Sequence, residues 1–182
     1  MPQIWLISDL HFGHDRSFIW GPRGFNSLKE MEDNLVERWN ACVSPDDEVY
    51  VLGDVFFGTD ERRNLELFNK LKGIKYLAIG NHDTDNKIAR YKELGLFKDI
   101  QYAYRLKKGK VSLFLTHYPT IVGNFDDPKP VYNIHGHTHS PSILGEYPKC
   151  YNVSPEANAC TPVRLEDVVQ KLRDTVRACE TC

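Results

Sequence analysis

The sequence predicts one α/β (α+β) domain spanning residues 1–182, on three observations. Short apolar runs alternate with amphipathic helical stretches through the first half. A hairpin signal and further short strands follow without long helices between them, and an amphipathic helix closes the chain.

The elements are read in order. Gln3 to Ser8 is an apolar run ending on a polar residue, which suits a buried strand. Ser27-Leu28-Lys29-Glu30 is a capping box, in which the hydroxyl bonds a first-turn N–H and Glu30 reaches back. The helix it opens carries Leu28, Met31, Leu35 and Trp39 on one face and ends before Ser44-Pro45. Glu48 to Leu52 is the second strand. A helix over Asp60 to Leu71 turns Leu65, Phe68 and Leu71 inward and stops at Gly73. Lys75 to Ile79 is the third strand, and Thr84 to Leu94 a short helix. Beyond it the chain reads as antiparallel: Gln101 to Leu106 and Val111 to Thr116 flank the turn Lys107-Lys108-Gly109-Lys110. Val131 to Ile134 and Cys150 to Val153 are short strands, and Leu165 to Ala178 is the closing helix, with Leu165, Val168, Val169, Leu172 and Val176 on one face.

Composition narrows the function classes. The 182 residues are 41% hydrophobic and 26% charged, ordinary for a chain that buries its own core. No run is long and apolar enough to span a membrane, and Met1-Pro2-Gln3 leads into a strand rather than a signal peptide. With 23 basic and 25 acidic residues the net charge is -2, which disfavours a groove gripping extended nucleic acid by charge alone. A single nucleotide or other short anion remains compatible, because bound cations would add local positive charge. Five cysteines form an odd set without a leader, which fits reduced thiols in a cytoplasmic compartment. Cys179-Glu180-Thr181-Cys182 has C-x-x-C form but lacks a second pair, so it reads as a solvated tail.

Chemistry gathers where the strands end. Three strands of the first half run into Asp9-Leu10-His11, Gly53-Asp54 and Gly80-Asn81-His82-Asp83. Two later strands run into Thr116-His117 and Gly136-His137-Thr138-His139. Ligands of open α/β sheets collect at such carboxyl ends. Two adjacent divalent cations need an anionic bridge and N/O ligands on each side, and this residue set supplies both. An Asp after Gly suits the bridge, because glycine lets the backbone approach closely. The spacings Asp9-x-His11 and His137-x-His139 put both side chains of each pair on one side of an extended segment. Donors of this kind without thiolates favour Mn²⁺ foremost, or Fe, Zn²⁺, Co²⁺ or Ni²⁺.

In this order, Asp9-x-His11, Gly53-Asp54, Gly80-Asn81-His82-Asp83, His117 and Gly136-His137-x-His139 resemble the motifs of the calcineurin-like metallophosphoesterase superfamily. Ser8-Asp9-Leu10-His11-Phe12-Gly13-His14 and the segment Asn133 to His139 are similar to those of small bacterial and phage phosphoesterases. The resemblance implies a mixed β-sandwich flanked by helices. It implies that Asp9, His11 and His139 bind one metal, that Asn81, His117 and His137 bind the other, and that Asp54 bridges them. His82 would face the leaving group as general acid, with Asp83, where many members have Glu, orienting its ring. The metals would neutralise phosphate oxygens and turn a bridging water into hydroxide near neutral pH.

Substrate contacts are read from the flanks. His14, Arg16 and Arg23 are candidates to touch a phosphate, with Trp20 and Phe25 able to stack on a base. The alternative is a loop packed on itself through Phe18, Trp20 and Phe25. His135 either meets substrate or braces a ligand, and Asn124 to Pro130 is a loop that could rim the pocket. The sequence holds no separate cap, which favours a phosphodiesterase acting on small nucleotide-type substrates over a phosphomonoesterase. A non-catalytic scaffold of the same fold is the other alternative, and it conflicts with the filled ligand positions and His82.

Overall fold

The computed structural model describes residues 2–121, 131–139 and 149–180, the last four through their backbone alone. Strand β1 (Ile4–Ile7) begins a five-stranded sheet that grows by helical crossovers. A short helix α1 (Ser17–Trp20) and the long α2 (Leu28–Cys42) lead to β2 (Glu48–Val51), α3 (Glu61–Phe68) to β3 (Ile74–Ala78), and α4 (Asp85–Glu93) to β4 (Asp99–Gln101). Strands β1 to β4 are mutually parallel, and the two-residue β9 (Val163–Arg164) pairs antiparallel with the free side of β1, giving the order β4-β3-β2-β1-β9.

The second sheet, in the order β5-β6-β7-β8, contains β5 (Ala103–Lys108), β6 (Val111–Thr116), β7 (Val131–His135) and β8 (Cys150–Asn152). Only its β5–β6 hairpin is antiparallel; β7 adds to β6, and β8 to β7, in parallel. The expectation of an antiparallel second half therefore holds for one pairing only. Gln101, expected in the hairpin, belongs to β4 in the other sheet, and the chain changes sheets at Tyr102. Helix α5 (Leu165–Glu180) runs from β9 and packs on β1, β8 and β9.

Side-chain alternation along the first sheet builds two cores. Leu6, Tyr50, Leu52 and Ala78 face Leu113, Leu115, Ile134 and Val153 of the second sheet, together with Leu165, Val168, Val169 and Leu172 of α5. Their neighbours Ile7, Val49, Val51 and Leu77 point to the opposite face, against Met31, Leu35 and Trp39 of α2 and Leu67, Phe68 and Tyr91 of α3 and α4. The period of two thus splits one sheet between a sandwich core and a helix layer. Each fully buried aliphatic side chain contributes about 1.5–3 kcal/mol. In α3 Leu67 and Phe68 are buried, whereas Leu65 is only partly buried against the core. At the start of α2, Ser27 Oγ accepts from the Glu30 N–H at 3.2 Å, but the Glu30 carboxylate reaches the Asn26 N–H at 2.8 Å, one residue before the cap. No helix among the described residues is long and apolar enough to cross a membrane.

Candidate metal centre

Parallel pairing fixes where the site forms. The C-terminal ends of β1, β2 and β3 lie on one edge of the first sheet, and the parallel β6 and β7 place their own C-terminal ends on one edge of the second. Beyond Ile7 and Val51 the two chains stay paired, with Asp9 N–H on the Gly53 carbonyl at 2.9 Å and His11 N–H on the Asp54 carbonyl at 3.0 Å. Beyond β6 and β7 the Gly136 N–H bonds the His117 carbonyl at 3.0 Å. The two sheets are joined at this edge by the His137 N–H, which donates to Asp9 Oδ2 at 2.9 Å.

Two groups of side chains there could each hold a metal ion: Asp9, His11 and His139, and Asp9, Asp54 and His117. In the first, His11 Nε2 and His139 Nε2 lie 3.8 and 3.5 Å from Asp9 Oδ1. In the second, Asp54 Oδ2 lies 3.6 Å from His117 Nε2 and 3.8 Å from His11 Nε2 of the first, while Asp9 is the residue common to both groups. Asp9 Oδ1 and His11 Nε2 are buried without a hydrogen-bond partner among the described residues. Such orphaned atoms are costly unless a cation lies between them, so this donor set fits a metal. Asn81 Oδ1 sits 2.9 Å from His117 Nε2, and the rings of His117 and His137 are 5.0 Å apart. All seven predicted ligands are thereby brought to one edge, with Asn81 beside His117 and with His137 outside the two compact groups.

The backbone achieves this differently from the extended geometry expected. Asp9, His11, Asp54, His137 and His139 all have φ between +50° and +67°, in the left-handed region. Asp and His tolerate that region better than most residues, which helps explain these side chains at these turns. The glycines before the ligands do provide close approach. A Cβ on Gly53, itself at φ +88°, would overlap His117 Nδ1; one on Gly80 would overlap Asp54, and one on Gly136 would overlap Asp9 and Ser8.

Outer contacts orient the imidazoles. His117 Nδ1 donates to the Leu52 carbonyl at 2.8 Å, and His139 Nδ1 to Glu156 Oε1 at 2.9 Å. Because those partners only accept, Nδ1 is the donor in each ring, which leaves Nε2 of each turned toward the site. His11 Nδ1 faces His14 Nδ1 at 3.3 Å. Burial lowers His11 from its ordinary value, against the opposing pull of Asp9. Burial likewise pushes His14 down, to about 4. For His139, burial is outweighed by the bond to Glu156, which raises it. Asp9 is pushed up by burial but pulled well below the carboxylate range by His11, His139 and His117.

Glu156, in a 3₁₀ turn over Pro155–Ala157, was not anticipated. Its Oε1 also accepts from Arg23 Nε at 2.7 Å. The rest of the Arg23 guanidinium donates to the carbonyls of Asp9 at 2.8 Å and Leu10 at 3.3 Å. Arg23 is therefore a buried brace behind the first motif rather than a phosphate contact, because its donors are already engaged. Arg16 is exposed, with Nη1 3.5 Å from the Asp15 carbonyl. His14 is buried against His11 and stacked on Phe57 at 3.6 Å. His135 is buried too, its Nδ1 donating to the Gly136 carbonyl, which matches the bracing reading. Phe25 and Ile19 enter the core while Phe18 is exposed, so the loop packs inward only in part. Asn124 to Pro130 and the pair Cys179 and Cys182 lie outside what the structure describes in side-chain detail.

His82 stands at the open side, 40% exposed, with Nε2 4.0 Å from Asp54 Oδ2. Asp83 does not orient its ring. The Asp83 carboxylate accepts from the N–H groups of Asp54 and Gly80 at 2.9 Å and of Val55 at 3.3 Å, and from the Tyr91 hydroxyl at 3.3 Å. Its short arm, buried beneath the loop, reaches the backbone that carries Asp54. Burial raises its affinity for a proton.

Comparison with known proteins agrees with this arrangement. The family model for calcineurin-like phosphoesterases matches residues 2–141. The uncharacterized protein MJ1445 of Methanocaldococcus jannaschii is 32% identical over 179 residues, covering 93% of this chain and 91% of that protein. The gene 66 protein of Mycobacterium phage L5 is 30% identical over 174 residues, covering 81% and 82%. A solved structure, the protein of unknown function AQ665 from Aquifex aeolicus, matches with a TM-score of 0.73 at 25% identity, over 93% of this chain and 99% of that one. The match extends across the first four ligand-bearing motifs and the last imidazole pair, and the chain belongs to the calcineurin-like phosphoesterase family, as a metal-dependent phosphoester hydrolase.

Proposed function

We propose that the chain hydrolyses small phosphodiesters of nucleotide type and uses two divalent cations, Mn²⁺ foremost. The observation that carries the reading is Asp54 Oδ2, set 3.8 Å from His11 Nε2 and 3.6 Å from His117 Nε2, where one oxygen can serve both ligand groups. Asp9, His11 and His139 would hold one ion, Asn81, His117 and His137 the other, with Asp54 between them. Bound cations would neutralise phosphate oxygens and supply hydroxide at neutral pH.

The chain's own side chains do the rest. His82 stands on the exposed side, where a leaving group would depart. As the P–O bond breaks, a proton from its ring passes to the departing oxygen, which then leaves as a neutral alcohol. Exposed Asn81 and half-exposed His82 leave that side open, which supports an ester with two substituents. Arg16, exposed beside the first motif, is the remaining candidate for a second anionic contact.

The test compares metal-free protein with protein reconstituted with Mn²⁺, on bis-p-nitrophenyl phosphate and p-nitrophenyl phosphate. Turnover should depend on metal and favour the diester. His82→Ala should retain its ions and lose roughly 10²–10⁴ in rate on poor leaving groups. Full activity of Asp54→Ala or His139→Ala with added Mn²⁺ would sink the two-metal reading, and preference for the monoester would sink the diesterase assignment.

A further inference from the structure

With Asp83 committed to the backbone of the Asp54 loop, the His82 ring is held by something else. Its main chain is fixed at both ends: the N–H donates to Asp54 Oδ1 at 2.9 Å, and the carbonyl accepts from Lys87 Nζ at 2.8 Å. The same ammonium donates to the Phe56 carbonyl at 2.7 Å, tying the β3 loop to the β2 loop. What remains free is the rotation of the side chain. There the ring meets Phe57, edge to face, with centroids 4.9 Å apart and planes at 72°, and His11 at the longer distance of 5.7 Å and 66°.

Phe57 is itself well fixed. Its ring is stacked on His14 at 3.6 Å with planes 6° apart, and His14 contacts the ligand His11. Lys87 Nζ lies 5.5 Å from the Phe57 centroid, at the distance of a cation–π contact. An aromatic plate with such neighbours favours one orientation of an adjoining imidazole, because edge-to-face pairs of this spacing contribute about 0.5–1.5 kcal/mol beyond area burial.

We propose that Phe57 is the positioning residue for His82, setting the ring for proton donation where a carboxylate was expected. The assignment rests on the proton-donor reading of His82 given above. Without the plate, two side-chain torsions open. With about three wells for the first and a broad two-fold second, productive ring placement falls by roughly 6-fold. That is smaller than the loss of the imidazole itself, roughly 10²–10⁴.

The experiment uses metal-loaded protein and a series of methyl aryl phosphates, from p-nitrophenol to phenol as leaving group. Phe57→Leu keeps apolar volume without the flat face, and Phe57→Tyr keeps the face. Phe57→Leu should lower kcat by roughly 6-fold on the phenol ester and little on the p-nitrophenol ester, with KM and metal content unchanged. Phe57→Tyr should restore the parent profile. In the double variant Phe57→Leu/His82→Ala the first change should cost nothing more, since the two act as one unit. Equal slowing of both esters, additive losses in the double variant, or loss of metal in Phe57→Leu would show Phe57 to be a packing residue and overturn the assignment. If His82→Ala alone leaves leaving-group dependence unchanged, the proton-donor reading fails and this assignment falls with it. If His82→Ala changes that dependence and Phe57→Leu does not, only the positioning role fails.

Discussion

Replacing Glu156 by glutamine keeps the size of the side chain and one acceptor while removing its charge. In the native chain Oε1 takes hydrogen bonds from the buried Arg23, through Nε at 2.7 Å, and from the partly exposed His139, through Nδ1 at 2.9 Å. Bonds to charged groups contribute about 1.5–3 kcal/mol and neutral ones about 0.5–1.5, so the His139 bond weakens by about 1 kcal/mol; buried Arg23 also loses its neutralising charge, and the fold loses about 2 in all. Metal binding suffers separately. Support of this kind behind a ligand is worth roughly 10–100-fold in affinity, or about 1.4–2.8 kcal/mol, and only the ion held by His139 depends on it directly. The other group, with His117 anchored on the Leu52 carbonyl, keeps its own support. Chelator competition with a metal-indicator dye should therefore resolve one weakened and one near-native site. Urea unfolding in chelator should show the loss of about 2 kcal/mol without metal present. Unchanged affinity at both sites would refute the claim that Glu156 works through His139. Unchanged metal-free stability would refute the claim that it neutralises Arg23.

Two further outcomes follow from the backbone and from a carboxylate far from the metals. Gly53→Ala places a Cβ at φ +88° and against His117, so it should cost about 2–5 kcal/mol and weaken metal binding, read by urea unfolding with and without Mn²⁺. Asp47 is pushed up by burial, but hydrogen bonds from the Gln3 and Ser44 N–H groups and the Trp5 indole leave it below its ordinary value. A depressed carboxylate stabilises the fold above its unfolded pKa, about 3.9, and that contribution fades as pH falls through the folded value. The stability gap between the parent and Asp47→Asn should thus be full at pH 7 and shrink below about pH 4; a gap independent of pH would contradict the reading.

How far the sequence could be read depended on what kind of physical signal each feature leaves. Strand runs such as Ile4–Ile7 and Val111–Thr116 announce themselves by apolar content, and the helix face of Met31, Leu35 and Trp39 by its spacing. The candidate ligands were legible because residue types able to bind metal stand just past those runs. Pairing direction leaves no such trace: β7 reads the same whether it joins β6 parallel or antiparallel, and only the structure separates the two. Asp99–Gln101 and Val163–Arg164 are too short to carry a period. Glu156 is one acidic residue among 25, and its meeting with His139 and Arg23 across 17 and 133 positions is a property of the fold. Asp83 was misread for a related reason, since adjacency in sequence to His82 says nothing about which way a buried carboxylate turns.

The left-handed turns at Asp9, His11, Asp54, His137 and His139 have a consequence for how quickly ions come and go. Asp9, His11 and Asp54 are held by ladder bonds and close glycines, His137 through its N–H on Asp9 and His139 through its ring bond to Glu156, so the cage takes shape as the chain folds. An arriving ion then has little protein motion to wait for. Its capture and release would be set by the exchange of its own hydration shell, so that swapping Mn²⁺ for an ion with sluggish water exchange would slow loading of the folded protein in proportion.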